Sequence, residues 1–383
     1  MIRVSCSTKF HAFALAEQLQ RHQLLDRFYT TYFSQKNWYY RKLHHRVDHE
    51  KIPAGQVKTF PFFLPRFWFW KDKHLRAVAY DEKVAAQLRR RKADYKAFIG
   101  WSSMSLTSAR QAKADGKLVL IERGSSHIQV QNEILSEEYA SFGRQFSIDN
   151  RIIERELEEY ELADYVVVPS QFVRNSFLQK GFPEEKLFLN NYGSNGFFKT
   201  EKSNESGKFR VLYLGGLVIR KGLKYLFDAV NALDLPKDQF EFWIIGSVAD
   251  ELKELVEEKR QNNWKFFGHI NHYELADYIA QCDVAVQPSL EEGLSMVIPQ
   301  MLTCGLPVIA STNSGGMDLI QDGENGFIVP IRDSESIKQK IEYLFEHRQE
   351  LSEMKKTAAG LSAASMTWDA YGDRYAQFLR SVI

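Results

Sequence analysis

The most constraining feature of this sequence is a regular alternation of short apolar runs and amphipathic segments between residues 208 and 311. Buried strands are predicted by four runs rich in β-branched and aromatic residues: KFRVLYLGG (208–216), FEFWIIGS (240–247), DVAVQPS (283–289) and PVIAS (307–311). Helices are predicted by two intervening segments with apolar residues at helical spacing: KGLKYLFDAVNAL (221–233) and MVIPQMLTCG (296–305). A chain that alternates in this way forms right-handed βαβ units around a parallel sheet.

The first 200 residues repeat the alternation less cleanly, with predicted strands at IRVSCS (2–7), KLVLIERGS (117–125) and DYVVVPS (164–170). A chain of 383 residues is too long for one ordinary core and fits two domains. We therefore expect an α/β fold with two Rossmann-like domains. The predicted parts are an N-terminal domain at 1–200, a polar linker at 201–207, a C-terminal domain at 208–366, and a helix at 367–383 that packs back on the N-terminal domain. In such sheets, ligands bind beyond the carboxyl ends of the strands.

Composition excludes several classes of protein. A net charge of +1 gives no support for nucleic-acid binding. The cysteines are Cys6, Cys282 and Cys304, and none forms a CxxC pair, which indicates a reducing compartment and argues against a zinc site. The segment MIRVSCSTKF lacks the apolar core of a signal peptide, and no apolar run approaches the roughly 18 residues of a membrane span. We expect a cytoplasmic protein that binds no metal.

Three segments carry a resemblance to a known family: LYLGGLVIRKGLKYLFDA (212–229), ADYVVVPSQFVRNSFLQKGFPEEKLFLNNYGSNGFF (163–198) and the stretch beginning PSLEEGLSMVIPQMLTCGLPVIASTNSGG (288–316). Together they resemble the signatures of group 1 glycosyltransferases, in particular the retaining family 4 enzymes of GT-B fold. The resemblance covers the second part of the chain well and the first 150 residues poorly. It implies two Rossmann-like domains facing each other across a cleft, with the acceptor on the N-terminal domain and the nucleotide sugar on the C-terminal domain.

The implied reaction is a retaining transfer of a sugar from a UDP- or GDP-linked donor to a glycan or lipid-linked acceptor in polysaccharide biosynthesis, without a further cofactor. Arg220 and Lys221 follow the Gly215-Gly216 turn, where cations and a helix N-terminus meet the negative charge that grows on a departing diphosphate. Basic residues there would replace a metal ion.

The two carboxylates at the end of the third predicted strand have different expected roles. By the resemblance, Glu292 contacts the donor sugar, where a carboxylate orients hydroxyls and stabilises an oxocarbenium-like transition state. The backbone amides of Gly293, Leu294 and Ser295 are expected to line the same pocket, whereas Glu291 is expected to face solvent. The family's second glutamate falls on Gln300, which we expect to hydrogen-bond the ribose of the nucleotide, less strongly than a carboxylate would.

On the N-terminal side, His127 lies in IERGSSHIQ, near the place where relatives keep a histidine that touches the donor sugar. Lys9, Phe10 and His11 replace the family's Gly-Gly after the first strand and are expected on the acceptor side. Aromatic and basic residues interleave at 59–76. This pattern suits a peripheral contact with the inner face of a membrane, a stacking platform for sugars, or an aromatic core helix with a basic end.

Two other functions remain open from the residues alone. Gln300 and the absent Gly-Gly are compatible with a non-catalytic scaffold that binds a sugar nucleotide. An NAD-dependent oxidoreductase would also use two Rossmann-like domains, but no GxGxxG follows a predicted strand.

Overall fold

The computed structural model describes residues 1–8, 10–31, 33, 51–60, 72–91, 94–194, 203–204, 206–271, 273–360 and 366–383. The strands in this part of the chain are β1 (Ile2–Ser5), β2 (Leu25–Thr30), β3 (Val57–Thr59), β4 (Ala97–Trp101), β5 (Leu118–Glu122), β6 (Tyr165–Val168), β7 (Leu187–Leu189), β8 (Phe209–Leu214), β9 (Phe240–Ile245), β10 (Trp264–Gly268), β11 (Val284–Gln287), β12 (Val308–Ser311) and β13 (Gly326–Val329).

The α-helices in the same described ranges are α1 (Ala12–Arg21), α2 (Lys73–Arg90), α3 (Leu106–Ala114), α4 (Ile128–Ser141), α5 (Asn150–Leu162), α6 (Gln171–Gln179), α7 (Leu223–Asn231), α8 (Lys253–Lys259), α9 (Leu275–Ile279), α10 (Val297–Thr303), α11 (Ser334–Glu346), α12 (Arg348–Gly360) and α13 (Trp368–Val382).

These strands form two separate parallel sheets. The first has the order β3-β2-β1-β4-β5-β6-β7 and the second the order β10-β9-β8-β11-β12-β13. Every residue of β8 and β9 is buried, as expected for a parallel sheet that is covered by helices on both faces. The prediction of an α/β fold with two Rossmann-like domains is therefore confirmed.

Each sheet has a topological switch point at which the chain reverses its direction of travel across the sheet. In the first sheet this point lies between β1 and β4, and in the second between β8 and β11. Ligands of open α/β sheets bind outside the carboxyl ends of strands at such points. A ligand-binding site is therefore expected at the loops that follow β1, β4, β8 and β11.

The C-terminal helix α13 packs on the N-terminal sheet. Its Tyr371, Tyr375 and Leu379 are buried in the same core cluster as Ile2 and Val4. Helices α1 and α13 cross closely at Gly372, since a Cβ there would lie 2.4 Å from Gln18 Cβ. The polypeptide therefore returns to the N-terminal domain after completing the C-terminal one.

Parts of the predicted linker and of the predicted membrane-contact segment lie outside the described residues, namely 201, 202, 205 and 61–71. In the described part of the linker, Asn204 Nδ2 donates to Asp283 Oδ2 at 3.0 Å, which ties this residue to the C-terminal domain. No helix among the described residues has both the length and the apolar character that crossing a membrane requires.

Candidate active site

The loop after β8 is built by glycines that allow close backbone approach. A Cβ on Gly246 would lie 1.8 Å from Gly215 O, so the loops after β8 and β9 can touch only without a side chain there. Gly222 has a φ of +69° and lies against the loop after β11, where a Cβ would be 2.1 Å from Pro288 O. Gly216, by contrast, is exposed and a Cβ on it would meet no atom within 4 Å. This leaves one open edge beside the Gly215-Gly216 turn.

Lys221 and Glu292 form an ion pair at the carboxyl ends of β8 and β11. Lys221 Nζ donates to Glu292 Oε1, and Ser289 Oγ donates to Glu292 Oε2 at 2.9 Å. The two side chains are 12% and 15% exposed, so both retain a route to a ligand. Burial by itself would raise the pKa of Glu292, but the positive charges of Lys221 and Arg220 outweigh it and hold that pKa below its usual value. Glu292 is therefore a carboxylate at neutral pH.

Arg220 connects the same two loops through the backbone. Its Nη1 donates to Glu291 O at 2.9 Å, and its own carbonyl accepts from Leu290 N at 2.9 Å. The residue is half-buried, and its guanidinium has donors beyond the one used here. Arg220 thus holds the backbone of the loop after β11 in place and adds positive charge beside the Lys221–Glu292 ion pair.

The expectation that Glu291 faces solvent is wrong, because its side chain is completely buried. Its Oε1 accepts from Ser126 N and Ser126 Oγ, both at 2.9 Å, and its Oε2 accepts from Gln131 Nε2 at 3.0 Å. These partners belong to the N-terminal domain, so Glu291 joins the two domains across the cleft. A carboxyl group buried this way is tolerated only because its oxygens are hydrogen-bonded.

Gly293 lies directly against the backbone of the N-terminal domain. A Cβ on it would lie 2.1 Å from Gly124 O, and its carbonyl accepts from Ser170 Oγ. The next residue, Leu294, is buried. The backbone N–H of Ser295 donates to Ser314 O at 2.9 Å, which corrects the expectation that this amide lines the ligand pocket. The N–H groups of Gly293 and Leu294 have no backbone partner within the described ranges.

Gln300 lies on α10 and is half-buried. Its carbonyl accepts from Thr303 Oγ1 at 3.0 Å, which leaves the side-chain amide as the group that could meet a ligand. Pro299, beside it, is buried in the first turns of the helix, where a missing N–H costs little. The role of Gln300 at a ribose stays a prediction.

His11 lies on the N-terminal side and has a partner that the sequence analysis missed. Its Nε2 donates to Glu122 Oε2 at 2.9 Å, with the two side chains 9% and 2% exposed. Its ring lies against Tyr192 and Trp101, with centroids 4.2 and 5.0 Å apart. Glu122 ends β5, so the rule that singled out Glu292 at a strand end could also have found this residue.

A cavity of about 440 Å³, here called the His11 cavity, opens beside this histidine. Its lining residues come from both domains and from the start of α13: Phe10, His11, Trp101, Ser102, Ser103, Met104, Arg123, Gly124, Ser125, Tyr192, Met296 and Trp368. Phe10 is 65% exposed. Lys9 lies outside the described residues. The cavity reaches the Glu292 loop through Gly124 and Met296.

His127 takes a different position from the one expected of a residue that contacts a sugar. Its Nδ1 accepts from Gln129 N at 3.3 Å as the N-cap of α4, and its ring packs on Tyr160 and Phe177. The residue is 4% exposed. Burial, with the positive charges of Arg123 and Lys180, lowers the pKa of His127 to about 4, so the ring is neutral at pH 7. These contacts describe a histidine that stabilises the N-terminal domain.

Within the described residues, no group of three or more His, Cys, Asp or Glu side chains is placed to hold a metal ion. Arg220 and Lys221 supply positive charge at the site.

The two facing parallel-sheet domains, with Glu292 and Lys221 at strand ends beside the cleft, define a protein of GT-B fold. Residues 196–360 match the model of the family described as glycosyl transferases group 1. An uncharacterised glycosyltransferase of Methanocaldococcus jannaschii is 26% identical over 197 residues, which are 51% of this chain and 52% of that protein. The chain thus spans about half the length of the curated relatives it matches.

Solved structures extend the similarity of fold to the whole chain. Sucrose-phosphate synthase of Thermosynechococcus elongatus has a TM-score of 0.75 at 18% identity, covering 100% of this chain and 98% of that one. HepE of Anabaena in complex with UDP has a TM-score of 0.68 at 19% identity, covering 99% of each chain. At these identities the likeness concerns the fold.

Proposed function

We propose that this protein is a retaining glycosyltransferase that moves a sugar from a UDP- or GDP-linked donor to a glycan or lipid-linked acceptor in the biosynthesis of a polysaccharide. The observation that carries the proposal is the Lys221–Glu292 pair, which joins residues 71 positions apart at the carboxyl ends of two neighbouring strands. A cation and an ionised carboxylate at this point supply what a diphosphate and a sugar require.

In the proposed mechanism, the donor diphosphate lies along the open edge of the Gly215-Gly216 turn. The bond between the anomeric carbon and the diphosphate breaks, and its electron pair leaves with the phosphate oxygen. Lys221 and Arg220 stabilise the charge that develops there, which is the kind of interaction that favours the transition state over the ground state. The acceptor hydroxyl forms the new bond to the anomeric carbon and passes its proton to the departing phosphate oxygen.

Glu292 has the second role. Because its pKa is held below the usual value, it remains ionised and accepts hydrogen bonds from hydroxyls of the donor sugar. A carboxylate beside the reacting carbon would also stabilise the positive charge of an oxocarbenium-like transition state. In this proposal Lys221 pairs with the Glu292 carboxylate on one side and contacts the donor diphosphate on the other. It therefore links the sugar-binding group to the diphosphate-binding group.

Gln300 completes the proposed donor site by binding the ribose, and the His11 cavity receives the acceptor. Three free cysteines, of which Cys6 and Cys282 are buried, support a cytoplasmic location, with a peripheral membrane contact through 59–76 as part of the proposal. The positive charge of Arg220 and Lys221 takes the place of a metal ion.

Calorimetric titration with UDP, GDP, ADP and NAD tests this proposal. We expect UDP or GDP to bind at one site, and we expect Lys221→Ala to weaken that binding while Lys253→Ala, which is 65% exposed on the same domain, leaves it unchanged. Binding of NAD in preference to UDP and GDP would favour an oxidoreductase. Nucleotide binding without turnover of any UDP- or GDP-sugar would favour a non-catalytic scaffold.

A further inference from the structure

A second cavity of about 370 Å³, here called the Arg76 cavity, adjoins the first. It lies in the N-terminal domain and is lined by Ser7, Thr8, Phe10, Thr31, Lys73, His74, Arg76, Ala77, Tyr80, Ser103, Met104 and Ile152. Three of these residues, Phe10, Ser103 and Met104, also line the His11 cavity. Each cavity has the volume of a small-ligand site, and the shared residues place the two cavities side by side.

One wall of the Arg76 cavity is a single face of α2. Lys73, Arg76, Ala77 and Tyr80 recur at spacings of three and four, which places them on the same side of the helix. Tyr80 anchors this face to the sheet, because its hydroxyl donates to Tyr29 O at 2.9 Å and lies 3.0 Å from Ser5 Oγ. The two cations of the wall are therefore held by a helix of fixed position.

The charges of these two cations are not neutralised by an ion pair with any described residue. Within the described ranges neither Lys73 nor Arg76 forms an ion pair, and the lining residues include no aspartate or glutamate. Arg155, by contrast, is paired with Asp81. Nδ1 of His74 is buried and has no hydrogen-bond partner among the described residues. Lys73 is exposed and Arg76 is half-buried, so both can meet an anion that enters the cavity beside the unsatisfied nitrogen of His74.

Most of the remaining surface of the cavity is apolar, although Ser7, Thr8, Thr31 and Ser103 add hydroxyl groups. Phe10 is the most exposed aromatic residue of this cavity, at 65%, and Met104, Ala77 and Ile152 continue the apolar surface. An anionic group beside an apolar surface is the chemistry of a phosphate ester on a hydrocarbon chain. A sugar phosphate alone would satisfy the cations but would leave this apolar wall without a partner.

We propose that the Arg76 cavity binds the phosphate and first apolar units of a lipid-linked acceptor, with the phosphate against Lys73 and Arg76. The acceptor sugar then passes Phe10, Ser103 and Met104 into the His11 cavity, toward the Glu292 loop. This inference rests on the proposed glycosyl transfer and specifies its acceptor class.

Binding of farnesyl phosphate to the whole protein, measured by calorimetry, tests the site directly. Farnesol serves as the probe without phosphate, and glucose 6-phosphate serves as the probe without a hydrocarbon chain. We expect farnesyl phosphate to bind at least about tenfold more tightly than either, because only it engages both the cations and the apolar wall. Equal affinity for farnesol, or for glucose 6-phosphate, overturns the proposal.

The double variant Lys73→Gln/Arg76→Gln keeps good helix formers at both positions and removes both charges. It should weaken farnesyl phosphate binding by about tenfold or more, whereas Lys83→Gln, an exposed lysine of α2 outside the cavity, should have no effect. Unchanged binding in the double variant refutes the assignment. If that variant fails to fold, the comparison of the three probes on the natural protein still decides.

A parallel titration with UDP and GDP separates this inference from the proposed function. Nucleotide affinity should be the same in the natural protein and in the Lys73→Gln/Arg76→Gln variant, because Lys73 and Arg76 line the Arg76 cavity and not the Glu292 loop. Binding of farnesyl phosphate with no nucleotide binding would contradict the donor assignment and leave the phosphate site standing. Nucleotide binding without farnesyl phosphate binding would do the reverse.

Discussion

The Lys221–Glu292 pair allows folding stability and catalysis to be separated. We expect Lys221→Met to destabilise the protein at pH 7, because it leaves the Glu292 carboxylate largely buried without its closest cation. Breaking a fully buried pair costs roughly 3–5 kcal/mol. Here the side chains retain 12% and 15% exposure, and Ser289 still donates to the carboxylate at 2.9 Å. We therefore expect a loss of about 2 kcal/mol.

Glu292→Gln should also destabilise the protein, since it leaves the buried Lys221 ammonium facing an amide. The double variant Lys221→Met/Glu292→Gln removes both charges together and should recover most of the lost stability, yet it should have no measurable turnover. Urea unfolding followed by circular dichroism gives the free energies, and the four proteins form a double-mutant cycle. Lys253→Met, at 65% exposure, should change stability by less than about 0.5 kcal/mol. Additive single-variant costs, with a coupling energy below about 0.5 kcal/mol, would refute the pairing.

The stability that the Lys221–Glu292 pair contributes should decrease in acid. The pKa of Glu292 is lowered in the folded protein from a reference value of 4.5, so its stabilising contribution is present above about pH 4.5 and is lost as the pH falls through the folded pKa. The stability difference between the natural protein and Lys221→Met should therefore shrink below about pH 4.5. A difference that stays constant or grows in acid would show that Glu292 is not the ionised partner.

Three further predictions concern the cleft, the ribose and the metal. Gly293→Ala should lower turnover by about tenfold or more, since its Cβ would lie 2.1 Å from Gly124 O and would force the domains apart, whereas Gly360→Ala, with no atom within 4 Å, should be neutral in the same assay. Gln300→Glu should tighten nucleotide binding in calorimetry by about 1 kcal/mol, and the gain should shrink with a 2′-deoxy nucleotide; equal affinity of both nucleotides for both proteins would exclude a ribose contact. Turnover should persist in EDTA, and its loss with recovery on adding Mg²⁺ or Mn²⁺ would contradict the metal-free mechanism.

The sequence alone determined the architecture, because the information that specifies it is local. The alternation of apolar runs and amphipathic segments between 208 and 311 can be recognised without knowing which residues contact each other in the folded protein. This alternation predicts parallel sheets. Strand-end position likewise predicted that Glu292 and the Arg220-Lys221 pair lie near a ligand site, because parallel strands share one carboxyl edge. The observed sheets place Lys221 against Glu292 at that edge.

Only the tertiary structure decided that Glu291 is buried against the other domain and does not face solvent. Glu291 and Glu292 are chemically identical neighbours, and their difference comes from Ser126, a residue 165 positions away in the other domain. The pairing of His11 with Glu122 could not be predicted either, because the two residues are 111 positions apart in the sequence. His127 was expected near the donor sugar because it lies in a loop after a strand. Its position in the sequence does not show that its ring packs against Tyr160 and Phe177. Local pattern specifies secondary structure and its order, whereas the burial and charge of a single side chain depend on residues that only the folded chain brings to it.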